Sequence, residues 1–463
     1  MKTKSLLSLI FAATIGMPVF GAAPTTVKHP EWAKNAVIYE VNTRQFTDEG
    51  SFAGVNANLD RLKDLGVDIL WFMPIHPISE KNRKGELGSY YAVKDYKAVN
   101  PEFGTLADFK TLVDNAHARG MKVILDWVPN HTGCDNAWVI EHPDYYARNE
   151  KGDMYGPYDW TDVYKLDYSN IGTREAMIDA MSYWLTDVGV DGFRCDVAME
   201  VPTDFWNDAR QRLQALQPEL FMLAEASAPD LEEHAFDMAY NWPMKDLFNA
   251  ISANAGQYGF VGNDGYVHTP APARASDIPT LVQRQHADFP LGAYLMNMIT
   301  NHDLNSWEGT EFDRLGHLVP AFAVLTYTLP GMPLIYTGQE VGMNRPFEFF
   351  VKDEAPDWTS NDWTLFYTAL NSLKHSRPEL SADASTASMI TYRTTSPDVL
   401  VFERKDGNSR TIVGVNLGAE TQTVTFDSAS PDMTNAKAVS VKNGGTSIPE
   451  TLESGEYFIF TVN

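Results

Sequence analysis

Short apolar runs alternate with longer stretches in which apolar residues recur at three and four spacing, and the alternation repeats along most of the chain. The runs Ala36 to Val41, Val67 to Met73, Met121 to Val128, Gly192 to Val197, Leu220 to Ala224, Phe236 to Tyr240, Tyr294 to Thr300 and Pro333 to Thr337 read as eight buried parallel strands. Between them, Asn58 to Leu65, Leu106 to Arg119, Thr173 to Val188 and Thr203 to Leu216 carry the helical period. Gly66, Gly120 and Gly189 follow three of these stretches, where a left-handed C-cap belongs. Eight strand–helix units predict an α/β fold, a closed (β/α)8 TIM barrel whose site is built on the connections after the strand C-termini. The apolar stretch Val319 to Thr337 contains Pro320, Pro330 and Pro333, and reads as a buried helix followed by the last strand.

Two connections are long. His131 to Leu166, rich in Asp, Tyr, Trp and Gly, predicts an inserted excursion over the barrel mouth, with the inserted unit set at 131–168. Trp242 to Leu291 carries four glycines and several prolines, and both stretches are expected to shape a cleft. From about Ser381 the pattern changes to short alternating strands: Met389 to Arg393, Val399 to Arg404, Thr411 to Asn416, Thr421 to Phe426 and Tyr457 to Val462. Ser-Pro-Asp, Asp-Gly-Asn and Asn-Gly-Gly punctuate them, so 381–463 is expected to be an antiparallel β domain after a barrel domain at 23–380.

The chain begins with Lys2 and Lys4, an apolar stretch from Leu6 to Phe20, and Gly21-Ala22-Ala23. Residues 1–22 therefore read as a secretory signal peptide, which predicts a periplasmic or extracellular protein. Pro18 interrupts the run before it could serve as a membrane anchor, so no stable membrane span is expected in the mature chain. Among 463 residues, 44% are hydrophobic, which is a globular composition. Acidic residues outnumber basic ones 61 to 36, a formal charge of −25. Nucleic acid is thereby disfavoured as a partner, because phosphate binding runs on Lys and Arg. Neutral or cationic small molecules, neutral polymers and proteins remain. Two cysteines, Cys134 and Cys195, are too few for a disulfide scaffold and are expected to be free, buried thiols.

Polar residues gather at the ends of the proposed strands: Asp126-Trp-Val-Pro-Asn130-His131 after the third, Arg194-Cys-Asp196 after the fourth, Glu225 after the fifth and Asn301-His302-Asp303 after the seventh. Arg194 lies two residues before Asp196, hence on the same strand face, and is expected to keep that carboxylate ionised. Glu225 has no cation adjacent in sequence, and is the better candidate for a raised pKa and a proton-donating role. One ionised and one protonated carboxyl on neighbouring strands suits glycoside hydrolysis, and adjacent strands favour the spacing that gives retention. Asp303 is a third acid able to stabilise an oxocarbenium-like transition state.

These four strand-end motifs, in this order, resemble the α-amylase superfamily of glycoside hydrolases, family thirteen. Gly331-Met-Pro333-Leu-Ile-Tyr336-Thr-Gly338-Gln-Glu340 on the eighth strand and Val67 to Pro74 on the second add to the likeness, which runs roughly from Trp32 to Pro378 and continues as the β-sandwich usual after this barrel. The resemblance implies that Asp196 is the nucleophile, Glu225 the general acid/base and Asp303 the transition-state stabiliser. It also implies that Arg194 holds Asp196 charged and that His131 and His302 hydrogen-bond hydroxyls of the sugar at the scissile bond. Tyr91 would stack on that sugar, with Tyr90 as its rival, while Asp126 and Asn130 would orient their loop. The implied substrate is an α-glucan or malto-oligosaccharide.

The sequence also departs from the family. Met199-Glu200 stands where many α-amylases have Lys-His, and Val163-Tyr-Lys165-Leu-Asp167 is closer to the neopullulanase-like form than to that of calcium amylases. Lys165 would stand in place of a metal-ligating aspartate, and calcium requires oxygen ligands. No cofactor is therefore expected to be required and no metal at the family's usual site, while Asp-rich loops elsewhere leave room for a structural calcium. Trp138, Tyr145, Tyr146, Tyr155, Tyr158 and Trp160 crowd the excursion and are candidate walls for sugar rings. Three activities fit: a retaining hydrolase of α-glucosidic, mainly α-1,4, bonds; a transglycosylase or glucan-isomerising enzyme of the same superfamily; and a catalytically silent carbohydrate-binding barrel, disfavoured because all three acids are present.

Overall fold

The computed structural model describes residues 23–262, 265–383, 387–441 and 445–463. The signal segment expected at residues 1–22 lies outside the described residues. Eight parallel strands form the closed barrel: β1 (Ile38–Val41), β2 (Ile69–Phe72), β3 (Lys122–Trp127), β4 (Gly192–Cys195), β5 (Phe221–Ala224), β6 (Met238–Tyr240), β7 (Tyr294–Asn297) and β8 (Met332–Tyr336). Each pairs with its neighbours in chain order, and β8 closes on β1 through Ile38 opposite Leu334. These are the eight strands that the apolar runs predict.

Period-two geometry sorts the side chains. Ile38, Ile69, Trp71, Ile124, Phe221 and Leu223 belong to the cluster inside the barrel. Their alternates Tyr39, Leu70, Phe72, Leu125, Phe193 and Met222 pack in the cluster shared with the surrounding helices. Because both strand faces are buried, both must be apolar, and the exceptions are informative. Glu40, Asp126 and Arg194 continue the inward rows at the strand C-terminal ends and are fully buried.

The helical stretches also form, over Leu59–Leu65, Leu106–Ala118, Ile171–Tyr183 and Thr203–Leu216. Thr105 caps the second of these reciprocally with Asp108. Gly66 and Gly189 take left-handed φ of 98° and 89° where these segments stop. The apolar stretch after Leu318 resolves into the helix Val319–Thr328 and strand β8. Among the described residues, no helix is long and apolar enough to cross a membrane. Cys134 and Cys195 are free and buried.

A five-stranded antiparallel sheet follows the barrel, built from β9 (Ser388–Tyr392), β10 (Val399–Asp406), β11 (Ser409–Asn416), β12 (Lys437–Ser440) and β13 (Tyr457–Val462) in the spatial order β9-β10-β11-β13-β12. One face carries Val401, Ile412, Phe458 and Phe460. The other turns Leu400, Phe402, Val413 and Ile459 toward the barrel core. The strand expected over Thr421 to Phe426 is confined to Gln422–Thr423, which pairs with Thr451–Leu452 apart from the main sheet. The unanticipated β12 takes the edge position instead. Its residues are mostly exposed, so no buried face imposed an alternating pattern on them.

The two long connections behave differently. His131–Gly133 and Val163–Lys165 form a small antiparallel ribbon over the barrel mouth. Trp242 to Leu291 does not enclose the cleft, contrary to expectation. It opens and closes with helices Trp242–Asn254 and Ile278–Asp288, and between them leans on the C-terminal domain. There Arg274 pairs with Asp398 at 2.9 Å and the Ser276 amide donates to Pro397 O at 2.9 Å.

Gly192 opens β4, where a Cβ would sit 1.8 Å from the Phe221 carbonyl oxygen on β5. Gly192→Ala is expected to force these two strands apart at a cost of about 1–3 kcal/mol or more, read as a lowered urea midpoint with unchanged m-value.

Candidate active site

The alternation that fills the barrel also aims its acids. Asp196 and Glu225 each follow the last residue of β4 and β5 by one step and continue the inward rows of Arg194 and Leu223. They face a cavity of about 420 Å³ at the C-terminal mouth, together with Tyr91, His131, His302 and Asp303. Six of the seven residues singled out from the sequence thus line one cavity. The seventh, Arg194, lies beneath it, fully buried.

Arg194 is the centre of the charge arrangement. Its Nη1 donates to Asp126 Oδ1 at 2.8 Å and to Asp196 Oδ1 at 3.1 Å, and its Nε donates to Tyr240 Oη at 3.1 Å. Its Nη2 lies 2.9 Å from Glu225 Oε2 without hydrogen-bond alignment. Glu225 therefore does have a cation beside it. The register of parallel β4 and β5 brings the arginine across, a lateral neighbour that spacing along one strand does not reveal.

Burial and the nearby Glu225 carboxylate push Asp196 well above the usual carboxylate range, with Arg194 opposing. Burial likewise raises Glu225, Arg194 again opposing and Asp303 adding to the rise. Arg194 alone thus does not hold Asp196 in its ordinary range, because burial and then the Glu225 charge outweigh it. The acid pair binds a proton as a unit. Geometry favours Glu225 as its carrier. The Val197 amide donates to Oε2 at 2.8 Å, and no hydrogen bond among the described residues reaches Oε1. Val197 is held at φ 37°, an unusual conformation for a β-branched residue, which turns that amide toward Glu225.

A second set of bonds fixes the far side. His302 Nδ1 lies 2.5 Å from Glu40 Oε1, and its Nε2 lies 2.7 Å from Tyr91 Oη. Tyr91 spends its one proton on Asp126 Oδ2 at 3.1 Å, so it accepts from His302. Both ring nitrogens then donate, which defines an imidazolium. Burial opposes that charge, but the Asp303 and Glu40 carboxylates outweigh it and lift the pKa to about 9. His131 is the opposite case. Burial pushes it down to about 3, and its Nδ1 is buried without a hydrogen-bond partner.

Tyr91 stacks on His302 with ring centroids 5.5 Å apart and lines the cavity. Tyr90 turns away, donates to Asn42 Oδ1 at 3.0 Å and lies under the Arg44 guanidinium. Asp126 and Asn130 do not line the cavity. Of the excursion's six candidate aromatics only Trp160 does so. Trp138 and Tyr145 pack against the main core, Tyr146 is buried in it, and Tyr158 is exposed with its hydroxyl donating to Glu200 Oε1 at 2.7 Å. Sequence reasoning missed Glu40, although an acid within the apolar run Ile38-Tyr39-Glu40-Val41 was a readable signal. It also missed Trp307, at the end of the short helix His302–Trp307, and Phe349 and Phe350 in the connection after β8, which complete the aromatic wall. Lys165 and Glu200, the two departures from the family pattern, pair with each other at 3.1 Å.

A closed parallel barrel with acids from adjacent strand ends converging round one buried arginine defines a barrel enzyme that works by carboxylate chemistry. The family described as alpha amylase, catalytic domain, matches residues 33–164 and 148–377, and the chain belongs to this family of glycoside hydrolases. An alpha-amylase from Lactobacillus plantarum superposes with a TM-score of 0.77 at 31% identity, covering 93% of this chain and 99% of that one. A maltogenic alpha-amylase from Thermotoga neapolitana gives 0.75 at 28% identity, covering 93% and 96%. An alpha-amylase of Haloarcula japonica is 28% identical over 411 residues, 85% of this chain. The chain spans 57% of the length of that relative.

Glu40→Gln keeps the shape of the His302 clamp and removes its charge. A folded-state pKa of about 9, above the ordinary 6.5, stabilises the fold fully below pH 6.5 and loses that contribution as pH rises through 9. The variant is therefore expected to be less stable by roughly 1–3 kcal/mol at pH 6, with the deficit shrinking toward pH 9 and above. Urea unfolding across that range, with a nitrogen-15 titration of His302, checks both.

Proposed function

We propose that this protein hydrolyses α-glucosidic bonds, mainly α-1,4, of malto-oligosaccharides and related α-glucans with retention of configuration. The observation that carries this reading is the single guanidinium of Arg194, within about 3 Å of both Asp196 and Glu225 on adjacent strand ends. Neighbouring strands stand about 4.7–4.9 Å apart. That matches the roughly 5 Å carboxyl separation of retaining enzymes better than the wider gap that admits a water for inversion.

In the first step Asp196 attacks the anomeric carbon as the glycosidic C–O bond breaks. Glu225 gives its proton to the departing oxygen, and the sugar is left as an ester of Asp196. In the second step Glu225, now a carboxylate, takes a proton from water, and the water oxygen displaces Asp196 from the same carbon. Two inversions give net retention, and both carboxyl groups return to their starting states. Asp303 faces the positive charge that develops on the ring in both transition states. The His302 imidazolium and neutral His131 are offered to sugar hydroxyls, and Tyr91 gives the ring's C–H face a flat apolar partner.

We also propose that the chain is exported, on the strength of the leader-like residues 1–22, and that no calcium binds where Lys165 stands. An ammonium has no lone pair to give a cation, and the Glu200 carboxylate beside it is already engaged by Lys165 and Tyr158.

Proton NMR of maltoheptaose hydrolysis is expected to show the α-anomer of the new reducing end first, with the β-anomer following by mutarotation. Asp196→Asn is expected to lose at least roughly 10³-fold in kcat while keeping its circular dichroism and Tm. Products longer than the input would instead assign the enzyme to transfer. Dialysis against EDTA is expected to move Tm and activity by no more than experimental error; a drop of many degrees would restore a structural metal.

A further inference from the structure

The connection after β2 does more than deliver Tyr91. Its residues 79–91 run along one side of the cavity and are tied at both ends to other loops. Toward the excursion, the Glu80 amide donates to Asp135 Oδ2 at 3.0 Å and Asn82 Nδ2 donates to Thr161 O at 3.2 Å. Lys84 Nζ then pairs with Asp162 Oδ1 at 3.4 Å. Toward the connection after β8, the Leu87 amide donates to Phe350 O at 2.9 Å. Gly85 lies so close to the same residue that a Cβ would stand 2.4 Å from Phe350 Cβ. Arg44, buried beneath, donates to the carbonyls of both Gly88 and Phe349 at 3.3 Å. Three loops from different parts of the barrel are thus joined into a continuous wall.

The chemistry says which end of the substrate meets that wall. The acid marks the leaving-group side, and Glu225 follows β5, three strands round the barrel from the β2 that precedes this loop. The ring that is transferred lies over Asp196, Tyr91 and His302, and Tyr91 is the foot of the wall. Lys84, Asp162 and Phe350 line the cavity above it. The Asp162 side chain is 5% exposed, and Lys84 is its ion-pair partner across the two loops. About 420 Å³ is near the lower end of ligand-pocket volumes, about 300–1,000 Å³, so the space holds a short segment of a glucan.

We propose that the wall closed by Lys84 and Asp162 ends the sugar path on the non-reducing side, so that this enzyme removes short units from free chain ends and does not cut within a chain. The proposal rests on the hydrolase reading and adds the specificity-determining pair. The test compares reducing-end-labelled maltoheptaose with the same compound capped by a 4,6-ethylidene group at its non-reducing end, with products resolved by chromatography. The free chain is expected to be cut at least about tenfold faster than the capped one. Lys84→Ala and Asp162→Ala, each confirmed folded by circular dichroism, are expected to narrow that ratio several-fold. Equal cleavage of both chains by the parent enzyme overturns the wall while leaving the hydrolase intact, and so do variants that fold and keep the parent ratio. Cleavage of neither chain overturns the hydrolase reading and the wall's role with it.

Discussion

A fully buried guanidinium with three carboxylates around it is the constraint on which the rest of this molecule turns. Taking Arg194 out of water costs several kcal/mol, and the cost is met only if its donors and its charge are answered at close range. Asp126, Asp196 and Glu225 answer the charge, Tyr240 Oη accepts from Nε, and Trp71 lies 5.2 Å below the guanidinium carbon. Asp196 lies only two residues further along the chain. The other partners come from β2, β3, β5 and β6, so the full set meets only when the barrel has closed. The same burial that makes the arrangement costly keeps it from relaxing around a substrate, which is the condition for stabilising charge as it develops.

From this centre a line of hydrogen bonds runs round the mouth. Asp126 accepts from Trp71, Tyr91 and Arg194. Tyr91 accepts from His302, and His302 reaches Glu40. Removal of any one member leaves its neighbours buried with an unanswered donor or charge. The line also explains why adjacent tyrosines divide their work. Tyr91 joins this chain and presents its ring to the cavity. Tyr90 is consumed in holding Asn42 and Arg44, and Arg44 in turn supports the carbonyls beneath the rim.

Much of this was legible in the amino-acid order because two periodicities wrote it there. Strands buried on both faces must be apolar, so the eight runs stood out, and an acid or arginine at the end of such a run had to be an inward-facing exception. What lies along one strand, such as Arg194 and Asp196, could be paired by counting. What lies across strands could not. The approach of Arg194 to Glu225 depends on the stagger of β4 against β5, and the clamp of Glu40 on His302 depends on closure between chain segments 262 residues apart. Phe349 and Phe350 sit in a connection with no period to read, and Trp307 ends a six-residue helix too short to show one. The Trp242–Leu291 segment was misjudged for a related reason: glycines and prolines mark a loop, but not the side of the barrel on which it lies.

The two places where the sequence leaves its family's pattern turn out to be one change. Lys165 ends the ribbon of the excursion and Glu200 lies just past β4, yet they pair at 3.1 Å, with Tyr158 donating to the other carboxylate oxygen. Either substitution alone would strand a charge at the rim of an acidic molecule; together they cancel. Both side chains are about a quarter exposed, so solvent screens the pair and its worth in stability is small. Its consequence is positional. The ribbon that carries Trp160 and Asp162 is fastened on one side to the strand that carries Asp196 and on the other, through Asn82 and Lys84, to the loop that carries Tyr91. A covering segment only 38 residues long by its expected bounds is seated on the barrel through Tyr146 and Leu166 in the main core, and these charged and polar ties fasten its margins over the acids.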